Sequence, residues 1–149
     1  MSLQQQVMEQ MKVAMKAKDK VALESLRAIK SALLLARTEK GSGTEMSGDD
    51  EIKLVQRLVK QRKDSAAIFA DQGRVDLAEP ELAQIAIIEK FLPEQLSEDE
   101  IEKVVVRTIK AIGAEGMKDM GKVMGMVSKE LAGQADGKTI SNIVKSKLN

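Results

Sequence analysis

The residues best placed to do chemistry lie near the end of the chain. Gly121 and Gly125 are four positions apart, so on a helix they would share one face with Ser128 and Ala132. Small side chains let another backbone approach such a face closely. The surrounding sequence supplies five candidate nucleic-acid ligands, Lys118, Lys122, Lys129, Lys138 and Lys145. The pattern predicts either contact with a nucleic-acid backbone or packing of a neighbouring helix, which is the commoner use of such glycines.

The composition removes most common kinds of catalyst. The chain has no histidine and no cysteine, which excludes thiolate or imidazole metal sites, Ser-His and Cys-His nucleophiles and a CxxC redox pair. The remaining carboxylates, Lys, Ser and Thr show no spacing typical of Mg²⁺ or Ser-Lys chemistry. We therefore predict no catalytic residue, no metal site and no cofactor.

The charge balance sets what kind of nucleic-acid contact is expected. In 149 residues, 24 Lys and Arg stand against 23 Asp and Glu, while residues 117–149 carry six lysines and three acids. The basic lean is therefore modest and confined to the last part of the chain. With two Phe and neither Tyr nor Trp, there is no platform for stacking bases, so any RNA contact would involve backbone and shape.

A second basic run lies in the first half of the sequence. No acid interrupts residues 53–63, and three of the cations share one helical face: Lys53, Arg57 and Lys60. They could contact successive phosphates. A solvated face opposite an apolar stripe is the favoured interpretation.

Arg62 differs from the rest of that run because it falls on the apolar face. A buried, unpaired guanidinium costs several kcal/mol, so its head must pair with a carboxylate or reach the solvent. Asp76 and Glu89 in the following segment are the candidate partners. We predict a structural ion pair at Arg62.

Helix-forming residues at helical spacing predict an all-α fold, with a four-helix N-terminal unit followed by a small three-helix C-terminal bundle. Asp19 is a predicted cap, Pro80 is expected to kink a helix or to start its main part, and residues 41–48 (GSGTEMSG) predict a loop. Pro93 ends one unit, and Ser97 with Glu100 forms a capping box that starts the next. We place the domains at residues 1–96 and 97–149.

No apolar run approaches the roughly 20 residues that a membrane-spanning helix needs. The first residues are polar and lack the apolar core of a secretory signal. We therefore predict a cytoplasmic protein with no membrane partner.

Motifs over essentially the whole chain resemble the YqeY family of small bacterial proteins. In order, they are LRAIKSAL at 26–33, KQRKDS at 60–65, GRVDLA at 73–78 and FLPEQL at 91–96. The later motifs GKVMG at 121–125 and GQADG at 133–137 resemble a C-terminal tail module. Members of the family share that module with the B subunit of the tRNA-dependent amidotransferase (GatB).

The resemblance implies a two-part helical protein with a limited function. In the amidotransferase, the tail module is associated with docking tRNA near its D arm, whereas the chemistry belongs to other parts of the enzyme. The resemblance therefore implies a non-catalytic adaptor that binds tRNA or a tRNA-handling protein. Two alternatives stay open: a protein interaction module that binds a partner helix, and an accessory to glutamine-dependent carbon–nitrogen ligation in tRNA transamidation.

Overall fold

The structure, a computed structural model, describes residues 2–40 and 46–149. Residues 41–45 of the predicted glycine-rich loop lie outside this description. Every regular element within the described residues is a helix, which confirms the all-α prediction. The α-helices are α1 (Leu3–Ala17), α2 (Lys20–Lys40), α3 (Gly48–Asp71), α4 (Val75–Ile88), α5 (Glu98–Ile112), α6 (Met120–Glu130) and α7 (Gly137–Leu148).

The chain divides into two compact units, Met1–Leu92 and Pro93–Asn149. Helices α1 to α4 belong to the first unit and α5 to α7 to the second. Each unit has its own apolar core, one around Leu26, Ile29 and Ile88 and the other around Val105 and Val144.

Side-chain caps define the starts of α1, α2 and α3, whereas α4 begins without one. Ser2 and Gln5 form a capping box at α1, and the Asp19 carboxylate accepts a hydrogen bond from the Ala22 amide at the start of α2 (3.1 Å). Helix α3 is capped by Ser47, whose hydroxyl accepts from the Asp50 amide (3.2 Å). Each cap satisfies an amide that has no partner inside its helix.

Helix α4 starts before Pro80, which is its sixth residue. The proline ring removes one backbone donor, but burial of Ala78, Ile85 and Ile88 holds this helix against the rest of the unit. A short 3₁₀ helix, Glu89–Phe91, follows directly.

The second unit begins four residues before the boundary that we placed at 97. The Leu96 amide donates to the Gln134 carbonyl (2.9 Å), and Gln95 Nε2 donates to the Gly133 carbonyl (2.6 Å). The Leu96 side chain packs against the second core. These contacts tie residues 93–96 to the loop between α6 and α7.

Candidate nucleic-acid interface

Two short helices position the predicted lysines. Helix α6 buries Val123 and Val127, and a 3₁₀ turn, Met117–Asp119, precedes it. Helix α7 starts at the Asp136 carboxylate, which accepts from the Thr139 amide (2.7 Å), and it buries Ile140, Val144 and Leu148. A helix of 11 or 12 residues is marginal alone, so packing in the second core stabilises both.

Ion pairs mark which edge of each helix is turned toward α5. Glu130 at the end of α6 pairs with Arg107 of α5, and Lys147 near the end of α7 pairs with Glu102. Both pairs are largely exposed, so we expect each to contribute at most about 1 kcal/mol. Their positions show which side of α6 and which side of α7 face α5, and the other side chains of both helices lie at known angles from those sides.

The predicted lysines are exposed and fall into two pairs and one outlier. Lys122 and Lys129 are seven residues apart on α6, as are Lys138 and Lys145 on α7, so each pair lies on one face, about 10 Å apart along the axis. These four have no ion-pair partner among the described residues. Lys118, in the 3₁₀ turn, lies 3.5 Å from Glu115, so its charge is partly compensated.

The structure places the small residues of α6 beside the α6 lysines. At 100° per residue, the strip of Gly121, Gly125 and Ser128 lies roughly opposite the Glu130 edge, and all three residues are exposed. Ala132, the fourth residue of the predicted strip, lies in the turn after α6. A methyl group on either glycine would meet no atom of the rest of the described chain within 4 Å. The close approach that these glycines permit is therefore not used by another described element of the chain.

Arg62 does not form the predicted ion pair with Asp76 or Glu89. Its Nε donates to Gln84 Oε1 (2.9 Å) and its Nη1 to the Leu58 carbonyl (3.1 Å). Asp76 binds Arg74, and Glu89 lies 3.7 Å from Lys63. The guanidinium is half-buried, so neutral acceptors together with solvent suffice to satisfy it.

Sequence reasoning missed two polar contacts that depend on tertiary structure. Gln84, the partner of Arg62, carries no charge that would have singled it out. Gln95 and Gly133 belong to two of the recognised motifs, yet nothing in the sequence indicated that these motifs meet. Their hydrogen bond shows that the two motifs contact each other in the folded second unit.

The described residues offer neither a metal site nor a membrane span. They contain no group of three or more acidic residues that could hold a metal ion. None of the helices among residues 2–40 and 46–149 is long and apolar enough to cross a membrane.

Comparison with known proteins gives a consistent family match. A family model described as Yqey-like protein matches residues 4–148. A protein named altered inheritance of mitochondria protein 41, mitochondrial, from Pyrenophora tritici-repentis is 31% identical over 128 residues, covering 84% of this chain and 68% of the relative. The protein of the same name from Clavispora lusitaniae is 32% identical over 126 residues, covering 82% of this chain and 72% of the relative.

A third similar protein has tRNA in its name. The E subunit of the glutamyl-tRNA(Gln) amidotransferase of Thermococcus gammatolerans is 31% identical over 128 residues, or 83% of this chain. The chain spans 20% of the length of that relative. The match therefore relates this chain to one part of a much larger protein.

Proposed function

Because the chain belongs to the YqeY family, we propose that it is a non-catalytic helical adaptor that binds tRNA through its second unit. The partner class comes from the amidotransferase relative, whose name contains glutamyl-tRNA(Gln). This chain matches a fifth of that relative. We therefore propose tRNA binding for this chain, and not the activity of the whole amidotransferase.

One structural observation carries the proposal. The exposed face of α6 presents Lys122 and Lys129 beside an open strip of small residues, where no other described part of the chain comes close. Lysine heads supply point charges for phosphates, and the glycines leave room for a sugar-phosphate backbone. Lys138 and Lys145 add a second exposed pair on α7.

The experiment is a binding titration of the full chain with bulk tRNA over a range of salt concentrations. We expect the affinity to fall as salt rises, because each neutralised phosphate releases counterions. The double variant Lys122→Glu and Lys129→Glu should lose at least tenfold in affinity. It should also reduce the slope of log K against log salt by about 1.4 to 1.8.

The matched control is the double variant Lys53→Glu and Lys60→Glu on α3, whose lysines are also exposed. This control makes the same charge change on the competing basic face. Retained affinity in the α3 variant, with loss in the α6 variant, supports the proposal. The reverse result, or no tRNA retention above a neutral control protein at low salt, rejects it.

A second candidate function uses the same strip to dock a partner helix, because the open glycine positions would let two helices approach closely. The salt dependence of binding separates the two possibilities, because phosphate contacts weaken as salt rises. Gly125→Leu tests whether the strip takes part, since it fills the strip and keeps every lysine. If a partner protein binds in a salt-insensitive manner and is lost in Gly125→Leu, while tRNA is not retained, this alternative replaces the first.

A third candidate is an accessory role in tRNA transamidation, favoured by the amidotransferase relative. Purified chain added to a complete amidotransferase reaction should then change its rate. An unchanged rate at saturating chain would reject this role and would leave the adaptor proposal in place.

We also propose a cytoplasmic location for the chain. The names of two relatives include the word mitochondrial, so the compartment needs a direct test. Fractionation of cells that express the tagged chain would provide it.

A further inference from the structure

The outer face of the α1–α2 pair carries apolar side chains that the first core does not bury. On α1, Met8, Met11 and Met15 recur at intervals of three and four residues, so they form one stripe. Met8 is 46% exposed and Met15 is 53% exposed, while Met11 is partly buried against the core. This stripe lies beside the buried face of α1 and continues the apolar surface outward.

Helix α2 contributes a matching stripe. Leu23, Arg27, Lys30 and Leu34 follow one another at intervals of four, three and four residues, which keeps them on one face. Leu34 is 51% exposed, whereas Leu23 is partly buried against the first core. We call the surface formed by Met8, Met11, Met15, Leu23 and Leu34 the methionine face.

The two stripes lie on the same side of the helix pair. Arg37 near the end of α2 donates to Gln4 near the start of α1 (3.3 Å), so the helices are antiparallel. At 100° per residue, Gln4 falls on the methionine side of α1, and Arg37 falls on the Leu34 side of α2. The hydrogen bond therefore joins the edges that carry the stripes.

The exposed charges carried by the two stripes and beside them on α1 are cationic, while Glu51 of α3 lies at the Gln4–Arg37 end of the face, where it accepts from the Leu3 amide (3.2 Å). Lys12, Arg27 and Lys30 are exposed among or beside the apolar residues, and they have no ion-pair partner among the described residues. Neither stripe contains an Asp or Glu. Complementary chemistry would combine an apolar stripe with flanking carboxylates.

We propose that the methionine face binds an amphipathic helix of a partner protein whose polar side is acidic. Methionine adapts its shape to apolar partners, and Lys12, Arg27 and Lys30 would contact carboxylates along the edges. The face extends from Leu23 to Leu34, about 16 Å along α2, which matches about three turns of a partner helix.

The composition of the face favours a protein helix over the other anionic partners. Interfacial membrane helices use Trp, Phe and Leu on their apolar side, and this face has no aromatic residue. An RNA backbone would leave the methionine stripes without an apolar partner. An acidic amphipathic helix satisfies both the stripes and the cations.

The test uses the full chain and a fluorescein-labelled 16-residue peptide with Leu at helical i, i+3, i+4 and i+7 spacing and Glu at most other positions. We expect saturable binding by fluorescence anisotropy. The double variant Met8→Gln and Met15→Gln, and separately Lys12→Glu and Lys30→Glu, should each weaken it at least tenfold. A scrambled peptide of the same composition should bind at least tenfold more weakly.

Two controls keep the result specific to this face. Val13→Gln changes an exposed apolar residue (60% exposed) on the other side of α1, and Lys53→Glu changes an exposed charge on α3. Both should retain full peptide affinity, and circular dichroism should show unchanged helix content in every variant. Equal losses in the control variants would overturn the proposal, as would equal binding of the scrambled peptide.

The other occupants are also outcomes of the test. Absence of saturable peptide binding would overturn the proposal. So would methionine-dependent binding to phosphatidylserine vesicles or to tRNA that exceeds peptide binding, because either result would assign the face to a membrane or to RNA.

Discussion

Arg62 shows how a charged side chain is accommodated on the apolar side of a helix without an ion pair. Its guanidinium bridges α3 and α4 through the Leu58 carbonyl and the Gln84 side chain. Replacing it removes two charge-assisted hydrogen bonds, whose acceptors belong to partly buried residues. We expect Arg62→Met to lower the free energy of unfolding by about 1.5 kcal/mol.

Urea denaturation of the full chain measures this change. Arg57→Met is the matched control, because Arg57 is an exposed residue of the same helix and should shift the free energy of unfolding by less than about 0.5 kcal/mol. Equal effects of the two substitutions would show that the Gln84 contact does not stabilise the unit.

Asp76 shows a second effect at the scale of single residues, a pKa shift in an exposed pair. Arg74 donates to both oxygens of Asp76, from Nε and Nη2, at 3.0 Å each. This bond to Arg74 lowers the pKa of the Asp76 carboxyl below its ordinary value. The pair therefore favours the folded state at neutral pH, and the contribution is lost as pH falls through the lowered pKa.

We expect Arg74→Gln to raise the pKa of Asp76 toward that of an ordinary aspartate. An NMR titration of the Asp76 side-chain carboxyl carbon would measure the change, and Lys53→Gln near the far end of α3 should leave the titration where it was. A midpoint that Arg74→Gln does not move would show that the pair is not formed in solution.

Ser97 and Arg62 show which kinds of side-chain contact can be predicted from the sequence. Ser97 accepts from the Glu100 amide (3.2 Å), and the Glu100 carboxylate accepts from the Ser97 amide (3.3 Å), as the motif predicted. Both partners lie within one helical turn, so local spacing fixes their geometry. Arg62 and Gln84 are 22 residues apart in the sequence. Only the packing of α3 on α4 determines that Gln84 is the hydrogen-bond partner of Arg62.

At the scale of the element, α6 contains two glycines, Gly121 and Gly125, which lower the stability of the helix. Glycine inside a helix costs about 1 kcal/mol relative to alanine, and no packing contact compensates at Gly125. We therefore expect Gly125→Ala to stabilise the second unit by about 1 kcal/mol. The opposite sign is expected for Gly113→Ala, because Gly113 ends α5 with φ of +65°, where a side chain is strained.

Thermal and urea unfolding of both variants would check the two signs in one host protein. A destabilising Gly125→Ala would indicate a tight contact that the present structure does not contain. If Gly125→Ala stabilises the fold and also weakens tRNA binding, then Gly125 contributes to tRNA binding and lowers the stability of α6.

The helices themselves were the easiest part to predict, and their junctions the hardest. Asp19 and Ser97 start helices as their sequence context indicated, because capping is a local effect. Pro80 did not mark the start of α4, since burial of Ala78 extends the helix to Val75. The turn before α6 is 3₁₀, a detail that hydrophobic spacing does not encode.

At the scale of the whole molecule, the two units owe their separate existence to two apolar clusters with no residue in common. The sequence indicated the division, through Pro93 and the Ser97 cap. It could not indicate that Gln95 and Leu96 bond to residues 133 and 134, because that contact joins segments far apart in sequence. The candidate interface depends in the same way on packing, since spacing placed lysines on α6 and α7 but did not show that the glycine strip is open.

Separate cores predict that a small packing defect in one unit leaves the other protected. Ile29 and Ile140 are almost fully buried, in the first and second core respectively. Ile29→Val and Ile140→Val each remove one methylene, which costs about 1 kcal/mol in a packed core. We expect Ile140→Val to accelerate amide hydrogen exchange about fivefold within residues 93–149, and Ile29→Val to do so only within the first unit. Residue-resolved exchange by NMR measures both, and acceleration across both units by either variant would mean that the chain opens as one cooperative body.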